Sequence, residues 1–260
     1  MRLNKSEDVN NLYIKKDTLS TRINLHAKYS VNKYGWNKWI YDQYIIGKNN
    51  KIIEFGCGNS SIWIVKEDEL PENVNVILTD ISPLMMEKTK ENIKNNKIFS
   101  IELMDIQNIP FSDSYFDIII ANHMLYHVPD IGKALFEIKR TLKEGGLFYS
   151  TTVGNKHLIE LETIYKNFQD KVKFSYTGDL SFRLDNGKEI LQNYFNEVDI
   201  KHYIDSLEVT NSEDLLDYIN SYNNIPDNIN QEIYKIINGE IIKNGVKKIN
   251  KESGIFICKK

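Results

Sequence analysis

Short apolar runs alternate with amphipathic stretches through the middle of the chain. Runs rich in Val, Ile, Leu and Phe are typical of buried strands. The stretches Pro83 to Asn96 and Ile131 to Leu142 instead place apolar residues on one side of a helix and charged residues on the other. Strands alternating with helices predict an α/β fold with a mainly parallel sheet and helices on both faces. The predicted strands are Lys51–Phe55, Val74–Thr79, Ile98–Leu103, Tyr115–Ala121 and Leu147–Thr152.

Two regions lie outside this alternation. The segment Asp8 to Ile46 predicts two helices, and Gly154 to Asn196 predicts a helix over Leu158–Phe168 followed by a mixed segment. Two later β-rich runs, Val198–Ile204 and Gly254–Cys258, are predicted to extend the sheet as a pair. We therefore expect one compact unit with three parts. These are an N-terminal helical lid (1–46), a core (47–153 and 197–260) and a cap insertion after the fifth strand (154–196).

The N-terminal segment is rich in aromatic residues, among them Tyr34, Trp36 and Trp39. Two interpretations remain open for them. They could form a lid whose aromatic faces cover a positively charged ligand, which is worth about 0.5 to 2 kcal/mol per contact. They could equally be the internal core of a helix pair.

Composition excludes several classes of function. The 260 residues are 41% hydrophobic and 27% charged, with a net charge of -3, so no strong basic field would attract nucleic acid. Cys57 and Cys258 form no metal-binding pattern, so we expect no metal site. The N terminus is polar, and no run of about 18 apolar residues occurs. We expect a cytoplasmic protein without membrane contact, as a monomer or homodimer.

The residues Glu54 to Ser60, Glu-Phe-Gly-Cys-Gly-Asn-Ser, join the first strand to the next apolar run. Gly56 and Gly58 would leave backbone N–H groups open to a nucleotide-like ligand. Cys57, between them, is expected to be a small apolar filler. The third glycine of the dinucleotide fingerprint is missing, with Ser60 or Ser61 in its place, which disfavours a nicotinamide or flavin enzyme.

The order of several motifs resembles the class I S-adenosylmethionine-dependent methyltransferases, in the small-molecule group that includes the UbiE-like enzymes. The resemblance covers about Lys51 to Thr152. It implies a Rossmann-like sheet of seven strands with an antiparallel last strand, S-adenosylmethionine as cofactor, and methyl transfer to a small-molecule substrate. The residues that carry it are Glu54-Phe55-Gly56-Cys57-Gly58, Asp80, Asp105-Ile106, Asp117 to His127 with Val128-Pro129-Asp130, and Leu142 to Leu147.

The resemblance also implies roles for acidic residues at strand ends. Glu54 would accept from the cofactor's amino group, directly or through water, or it could simply pair with a lysine. Asp80, at the end of the second strand, would bind the two ribose hydroxyls. Asp105 would accept from the adenine amine. Either aspartate could instead cap the following helix. The adenine ring would be enclosed by the Ile106 backbone and by Ile81 or Met85.

The fourth strand ends at Asn122, at the carboxyl edge where open α/β sheets bind ligands. Asn122 and His123 are expected to line the methionine end of the cofactor, and the resemblance adds Tyr29 as a further contact. His127 is the candidate catalytic residue, as a base or substrate ligand. Alternatively, a histidine in this turn could hydrogen-bond a loop and have no chemical role.

Three alternatives stay open. One is a protein that binds S-adenosylmethionine without turnover, and another is an NAD-dependent oxidoreductase with the same fold class. The third is a nucleic-acid or protein methyltransferase. Against it, Ala121-Asn122-His123-Met124 lacks the Asn/Asp-Pro-Pro-Tyr/Phe pattern of enzymes that methylate adenine amines.

Overall fold

The structure is a computed structural model and describes residues 18–94, 96–172 and 180–260. The start of the predicted N-terminal helix pair, the Asn95 at which the helix from Pro83 was expected to end, and the middle of the predicted cap insertion lie outside these residues.

The centre of the molecule is a seven-stranded sheet in the order β3-β2-β1-β4-β5-β7-β6. β1 to β5 are parallel, and β7 is antiparallel to both of its neighbours, β5 and β6. The prediction of a mainly parallel, Rossmann-like sheet is therefore confirmed. The strands are β1 (Lys51–Phe55), β2 (Asn75–Asp80), β3 (Phe99–Leu103), β4 (Phe116–Asn122), β5 (Leu142–Val153), β6 (Glu197–Val209) and β7 (Lys247–Lys259).

Successive residues of a strand point to opposite faces of the sheet, so a strand of apolar residues needs cover on both faces. Helices provide this cover. In β1, Ile53 belongs to one apolar cluster and Ile52 to the other. The first cluster contains α5 and α7, and the second contains α2, α3 and α4. The described α-helices are α1 (Thr18–Tyr29), α2 (Trp36–Tyr41), α3 (Ser61–Ile64), α4 (Pro83–Ile93), α5 (Ile131–Thr141), α6 (Ile159–Lys166), α7 (Leu184–Gln192), α8 (Ser212–Asn220) and α9 (Asp227–Asn244).

Helix boundaries follow local signals that the sequence contains. Pro83 opens α4 after Ser82, where its missing N–H costs nothing. Asp130 caps α5 by accepting from the Lys133 amide at 2.9 Å. The helix after the Glu54 to Ser60 loop, α3, is a single turn.

One predicted boundary is wrong. α5 ends at Thr141, and β5 begins at once at Leu142 instead of Leu147. The pairing register with β4 shifts between Phe116 and Ile118, so the Glu144-Gly145-Gly146 segment lies within an irregular start of the strand. Gly145 has a φ of 74°, which favours glycine. The glycines were expected to end the helix, but the helix ends before them and they lie inside the strand.

The β6–β7 pair is longer than the predicted runs, and its register extends from Glu197–Lys259 to Val209–Lys247. Its outer half packs with α1, α6, α8 and α9 in a third apolar cluster, which includes Leu207 and Ile249. α7 packs instead against the sheet. The predicted division into lid, core and cap insertion stays a prediction, and this packing adds α8 and α9 to the elements beside the lid.

None of the helices within the described residues is long and apolar enough to cross a membrane. Cys57 and Cys258 are both buried and free.

Candidate functional site

The carboxyl ends of β1, β2 and β4 meet at one edge because these neighbouring strands are parallel. This places Glu54, Asp80 and Asn122 side by side. The loop after β1 is tied to the end of β2 by two backbone amides: Cys57 donates to the Thr79 carbonyl at 2.9 Å, and Gly58 donates to Asp80 Oδ2 at 3.1 Å.

The loop after β1 turns through three left-handed residues, Gly56, Gly58 and Ser60, with φ of 66°, 57° and 57°. A Cβ on Gly56 would come within 2.8 Å of Met124 Cβ, so only glycine fits there. A Cβ on Gly58 would meet no atom within 4 Å, which leaves open space beside its backbone. Ser60, at the missing third glycine, is buried and shares a 3.0 Å hydrogen bond with Thr89 of α4. That hydrogen bond offsets the strain of its left-handed backbone.

Glu54 is buried and fully hydrogen-bonded at the end of β1. Its Oε2 accepts from Trp63 Nε1 at 2.6 Å, and its Oε1 accepts from Asn122 Nδ2 at 2.8 Å. Burial raises the pKa of Glu54 to about 7, although the Asn122 and Trp63 hydrogen bonds oppose this shift. Through its hydrogen bond to Asn122, Glu54 also fixes the orientation of that amide.

The Asn122 amide is held in one orientation. Its Nδ2 donates to both Glu54 and the hydroxyl of Tyr44, each at 2.8 Å. Its Oδ1 is buried and has no hydrogen-bond partner in the described part of the chain. A buried acceptor without a donor costs about 1 to 3 kcal/mol, so the site is built to receive a donor.

Asp80 joins two segments of the edge. Its Oδ1 accepts from the Ser82 amide at 2.9 Å, and its Oδ2 accepts from Gly58. Burial raises the pKa of Asp80 against the effect of these backbone hydrogen bonds. Ser82 is the N-cap of α4 and makes no side-chain cap. Asp80 therefore braces the loop after β1, and its remaining lone pairs face the edge.

The residues predicted around adenine lie at the ends of β2 and β3. Asp105 is exposed and accepts from the Gln107 amide at 2.9 Å, which is a local turn contact. Ile106 and Met85 are buried, whereas Ile81 is 40% exposed and presents an apolar surface. Cys57 is buried beside Thr89 at 3.6 Å, and burial raises the pKa of its thiol, so it is a poor nucleophile.

A cavity of about 780 Å³ opens next to this edge, beneath α1 and α2. His123 and His127 line it, as do Asn59 and Ser61 of the β1 loop. Trp36 covers it, with its ring 5.2 Å from the ring of His123. Burial and then the charge of Lys251 lower the pKa of His123 to about 4. The His123 imidazole is therefore neutral at pH 7.

The aromatic cluster of the N-terminal segment packs on the sheet. Trp36 stacks on Trp39 at 5.5 Å, and both rings pack against Tyr203 of β6 instead of forming the core of a helix pair. Trp36 also lines the cavity, whereas Tyr34 is 48% exposed and donates its hydroxyl to Asp42. The role of these residues as a lid over a ligand stays a prediction.

Tyr29 is not brought to this edge. It is buried in the cluster of α1, α6, α8 and α9, and its hydroxyl donates to Asp214 at 2.5 Å. The α1 face that meets the cavity carries Arg22 and His26. Sequence reasoning noted these two residues only as part of the aromatic stretch.

Two further residues of the cavity wall, His157 and Lys251, gave no signal in the sequence. Each comes from an element whose position depends on the long β6–β7 pair, so only the fold brings them to the cavity. In the described part of the chain, no group of three or more His, Cys, Asp or Glu side chains is arranged to hold a metal ion.

These features fit S-adenosylmethionine, the cofactor that the resemblance implies. The open space beside Gly58 admits a ligand next to backbone, and the partnerless Asn122 Oδ1 is an acceptor for an ammonium group. Asp80 offers a carboxylate at the spacing for a ribose diol. A dinucleotide pyrophosphate binds at the N-terminus of a helix, and α3, which is one turn long, offers only a weak site of this kind.

Comparisons with known proteins agree with this fit. A family model described as a methyltransferase domain matches residues 46–199, more than half of the chain. Demethylmenaquinone methyltransferase of Staphylococcus haemolyticus is 25% identical over 162 residues, covering 62% of this chain and 67% of that protein. The chain spans about two thirds or less of the length of the curated relatives it matches.

Two solved structures share the fold at low sequence identity. The 4+2 cyclase SpnF has a TM-score of 0.61 and 15% identity, with 98% of this chain and 96% of that chain covered. Phosphoethanolamine N-methyltransferase 2 of Haemonchus contortus was solved with phosphomonomethylethanolamine and S-adenosylhomocysteine. Its TM-score is 0.60 at 18% identity, with 100% of this chain and 60% of that chain covered. The family match, the sheet order and the motif order agree, and the chain belongs to the class I S-adenosylmethionine-dependent methyltransferases.

Proposed function

We propose that this protein transfers the methyl group of S-adenosylmethionine to a small-molecule acceptor in the cavity beneath Trp36. The partnerless Oδ1 of Asn122 carries the proposal, because it lies at the strand end from which His123 enters the cavity wall. The cofactor's ammonium group would supply the donor that this oxygen lacks. We propose further that the protein acts in the cytoplasm, as a monomer or homodimer, and not on nucleic acid.

The cofactor is proposed to lie along the carboxyl ends of β1 to β4. Asp80 would bind the ribose, and Ile81 would pack against the adenine ring. Tyr29 is left out of the proposed site because it packs away from the edge. The proposed cofactor-binding residues are Glu54, Gly56, Cys57, Gly58, Asp80, Ile81, Met85, Asp105, Ile106, Asn122 and His123.

When bound, S-adenosylmethionine supplies an electrophilic methyl group on a sulfonium, whose departure as a neutral thioether needs no proton. The protein's task is to hold the acceptor in line and exclude water. Trp36 would cover the reacting groups, and an aromatic face near a cation is attractive by about 0.5 to 2 kcal/mol. The neutral imidazole of His123 can accept a hydrogen bond from the acceptor at pH 7.

Isothermal titration calorimetry tests the assignment. We expect S-adenosylmethionine and S-adenosylhomocysteine to bind the purified protein and NAD not to bind. Binding of NAD, with no heat from either sulfur compound, would instead establish the oxidoreductase alternative. The one-turn α3 argues for the first outcome, since it offers little to a dinucleotide pyrophosphate.

Cofactor binding without methyl transfer remains the second candidate. It is favoured by the fold's likeness to SpnF, a structure described as a cyclase. A panel of phenols, amines and organic acids, each assayed for release of S-adenosylhomocysteine, separates the two. We expect at least one acceptor to be methylated, and cofactor affinity with no product from any of them would favour the second candidate.

His127→Gln is expected to lower turnover of that acceptor at least tenfold, since a positioned general base typically contributes about 10²- to 10⁴-fold. His127 lies on the 3₁₀ turn Leu125–His127, and its side chain lines the cavity. The matched control is His202→Gln, since His202 is exposed on the edge strand β6. A near-normal rate with a flat pH profile in the His127 variant would make this histidine structural.

A further inference from the structure

The cavity wall has a one-sided charge. Among the described residues that line it, four carry basic side chains and four are histidines, and none is Asp or Glu. An electropositive pocket of this kind concentrates anions and repels cations. The eight residues are Arg22, Lys33, Lys38, Lys251, His26, His123, His127 and His157.

Lys251 is the basic residue best placed to act in a ligand site. It lies on β7, its side chain is 9% exposed, and it lines the cavity. Its ion-pair partner is Asp205 on β6, whose side chain is fully buried. Asp205 also accepts from Ser30 Oγ at 2.6 Å and from the Asn32 amide at 2.9 Å. The carboxylate is thus fully buried behind the wall, and Lys251 belongs to the wall itself.

Arg22 contributes charge more than hydrogen bonds. Its Nε and one terminal nitrogen donate to Ser221, at 3.0 Å and 2.5 Å. The guanidinium carbon lies 3.5 Å from the ring centre of Tyr222. This fixes a permanent positive charge in the wall without occupying the cavity.

His26 supplies a polar atom that lacks a partner. Its Nδ1 is buried and makes no hydrogen bond in the described part of the chain. Its ring packs edge-on against Tyr218 at 5.7 Å, so it is held in place. His26 lines the cavity, and a buried polar atom without a partner in a cavity wall calls for a ligand atom that can bond with it.

Two buried histidines of the wall have lowered pKa values, and the positive charge of Lys251 contributes to both shifts. Burial and then Lys251 lower the pKa of His26 to about 3, and Asp205 offsets only part of this. Burial and then the neighbouring histidines and Lys251 lower the pKa of His157. His157 Nδ1 accepts from the Glu252 amide at 3.2 Å, so its neutral ring carries the proton on Nε2.

The rest of the described wall combines six Ser and Asn residues with apolar and aromatic side chains. The apolar and aromatic part would enclose a hydrophobic body. These residues include Val153, Leu158, Leu180, Tyr126, Tyr218 and Tyr222.

We propose that the part of the wall formed by His26 and Lys251 binds a carboxylate of the acceptor, which is a small organic acid with an aromatic or other apolar body. Lys251 would pair with the carboxylate, and the His26 imidazole would donate to it. This inference rests on the proposed function, because it names the acceptor of the same cavity. A cationic analogue of equal shape would be repelled by the basic side chains of the wall, and a neutral one would gain no charge pairing, so the site discriminates by charge.

Three benzene derivatives of similar size test the inference: benzoate, benzamide and benzylamine. Each is titrated by calorimetry and by Trp fluorescence, with and without saturating S-adenosylhomocysteine. We expect benzoate to bind about tenfold or more tightly than benzamide, and benzylamine to be the weakest. We also expect S-adenosylhomocysteine not to compete with benzoate.

The double variant Asp205→Asn/Lys251→Met removes the buried pair together, so no lone charge is left inside. We expect it to weaken benzoate about tenfold and leave benzamide unchanged. The matched control is Glu208→Gln/Lys248→Met, an exposed pair on the same two strands, which should change neither. If the first variant does not fold, His26→Phe keeps the packing on Tyr218 and is expected to weaken benzoate several-fold.

The other possible outcomes contradict either the inference or the proposed function. Equal binding of benzoate and benzamide, or no benzoate binding at all, would overturn the inference. Competition by S-adenosylhomocysteine would assign the basic wall to the cofactor's own carboxylate and would overturn it as well. Absence of S-adenosylhomocysteine binding would instead defeat the proposed function, while the titrations without it still compare the three probes.

Discussion

Replacing Glu54 by glutamine is expected to weaken S-adenosylhomocysteine binding about 10- to 100-fold at pH 8, which corresponds to roughly 1.5 to 3 kcal/mol. Glu54 is buried and orients Asn122, whose Oδ1 then has no partner and faces a ligand donor. A glutamine can keep Trp63 as donor, but its amide group would face the Asn122 amide. Asn122 would rotate to accept from it, and the ligand would meet a donor where it needs an acceptor.

The same variant is expected to lose a pH dependence that the natural protein shows. The pKa of Glu54 is about 7 without cofactor, raised by burial and, to a smaller extent, by Asp80. An ammonium group favours the ionised carboxylate, so binding releases a proton and affinity increases with pH. With about one tenth of Glu54 ionised at pH 6, affinity should increase about tenfold between pH 6 and pH 8 and level off above that.

Calorimetry at pH 6, 7 and 8 checks both statements. Glu72→Gln is the matched control, because Glu72 is exposed and forms an ion pair with the exposed Lys48. Equal affinity of the Glu54 variant and the natural protein at pH 8 would show that the carboxylate has no part in cofactor binding. A pH dependence retained in the variant would assign it to another group.

The stability of the cofactor-free protein tests the raised pKa of Glu54 independently of cofactor binding. Its folded pKa of about 7 exceeds the ordinary value of 4.5, so the stability it contributes is present below pH 4.5 and lost as pH rises through 7. Glutamine has no such loss. In urea unfolding, the variant should therefore gain stability relative to the natural protein between pH 5 and pH 8. The neutral buried histidines change the stability with pH in the opposite direction, but the variant and the natural protein both contain them.

The parallel part of the fold could be predicted from the sequence because each strand is a short apolar run bounded by polar residues. β1 has the predicted bounds, β3 begins one residue later than predicted, and β2 and β4 are each shifted by one residue at both ends. β5 could not be delimited in this way, since Gly145 and Gly146 are typical of a turn. Only pairing with β4 shows that they lie inside a strand.

The cavity was harder to predict for a different reason. Its wall combines side chains from α1, the turn after β4, the segment after β5 and β7, and no short-range pattern relates them. Lys251 lies in a polar run that gave no strand signal, and it is buried only because Asp205 on the paired strand neutralises it. Tyr29 shows the converse, because the family resemblance suggested a contact that the orientation of α1 does not provide.

Replacing Asp80 by alanine is expected to weaken S-adenosylhomocysteine binding by about 1 to 3 kcal/mol, or roughly 5- to 100-fold. Two effects contribute. The ribose hydroxyls lose a charged acceptor, and the Gly58 and Ser82 amides lose theirs, so the loop after β1 is held less firmly. Asp117→Asn is the control, since Asp117 also accepts from a backbone amide, that of Lys51, but at the opposite end of the sheet.

Asp80→Asn separates the two effects. Asparagine keeps one acceptor oxygen, and Asp80 Oδ1 and Oδ2 each accept from a different amide, so one brace can persist while the charge is lost. If the ribose contact dominates, calorimetry should show nearly the same loss of affinity in both variants, with thermal unfolding lowered more by alanine. Normal affinity in Asp80→Asn with a loss only in Asp80→Ala would make Asp80 a brace for the loop. Binding of the ribose would then have to come from the backbone of that loop.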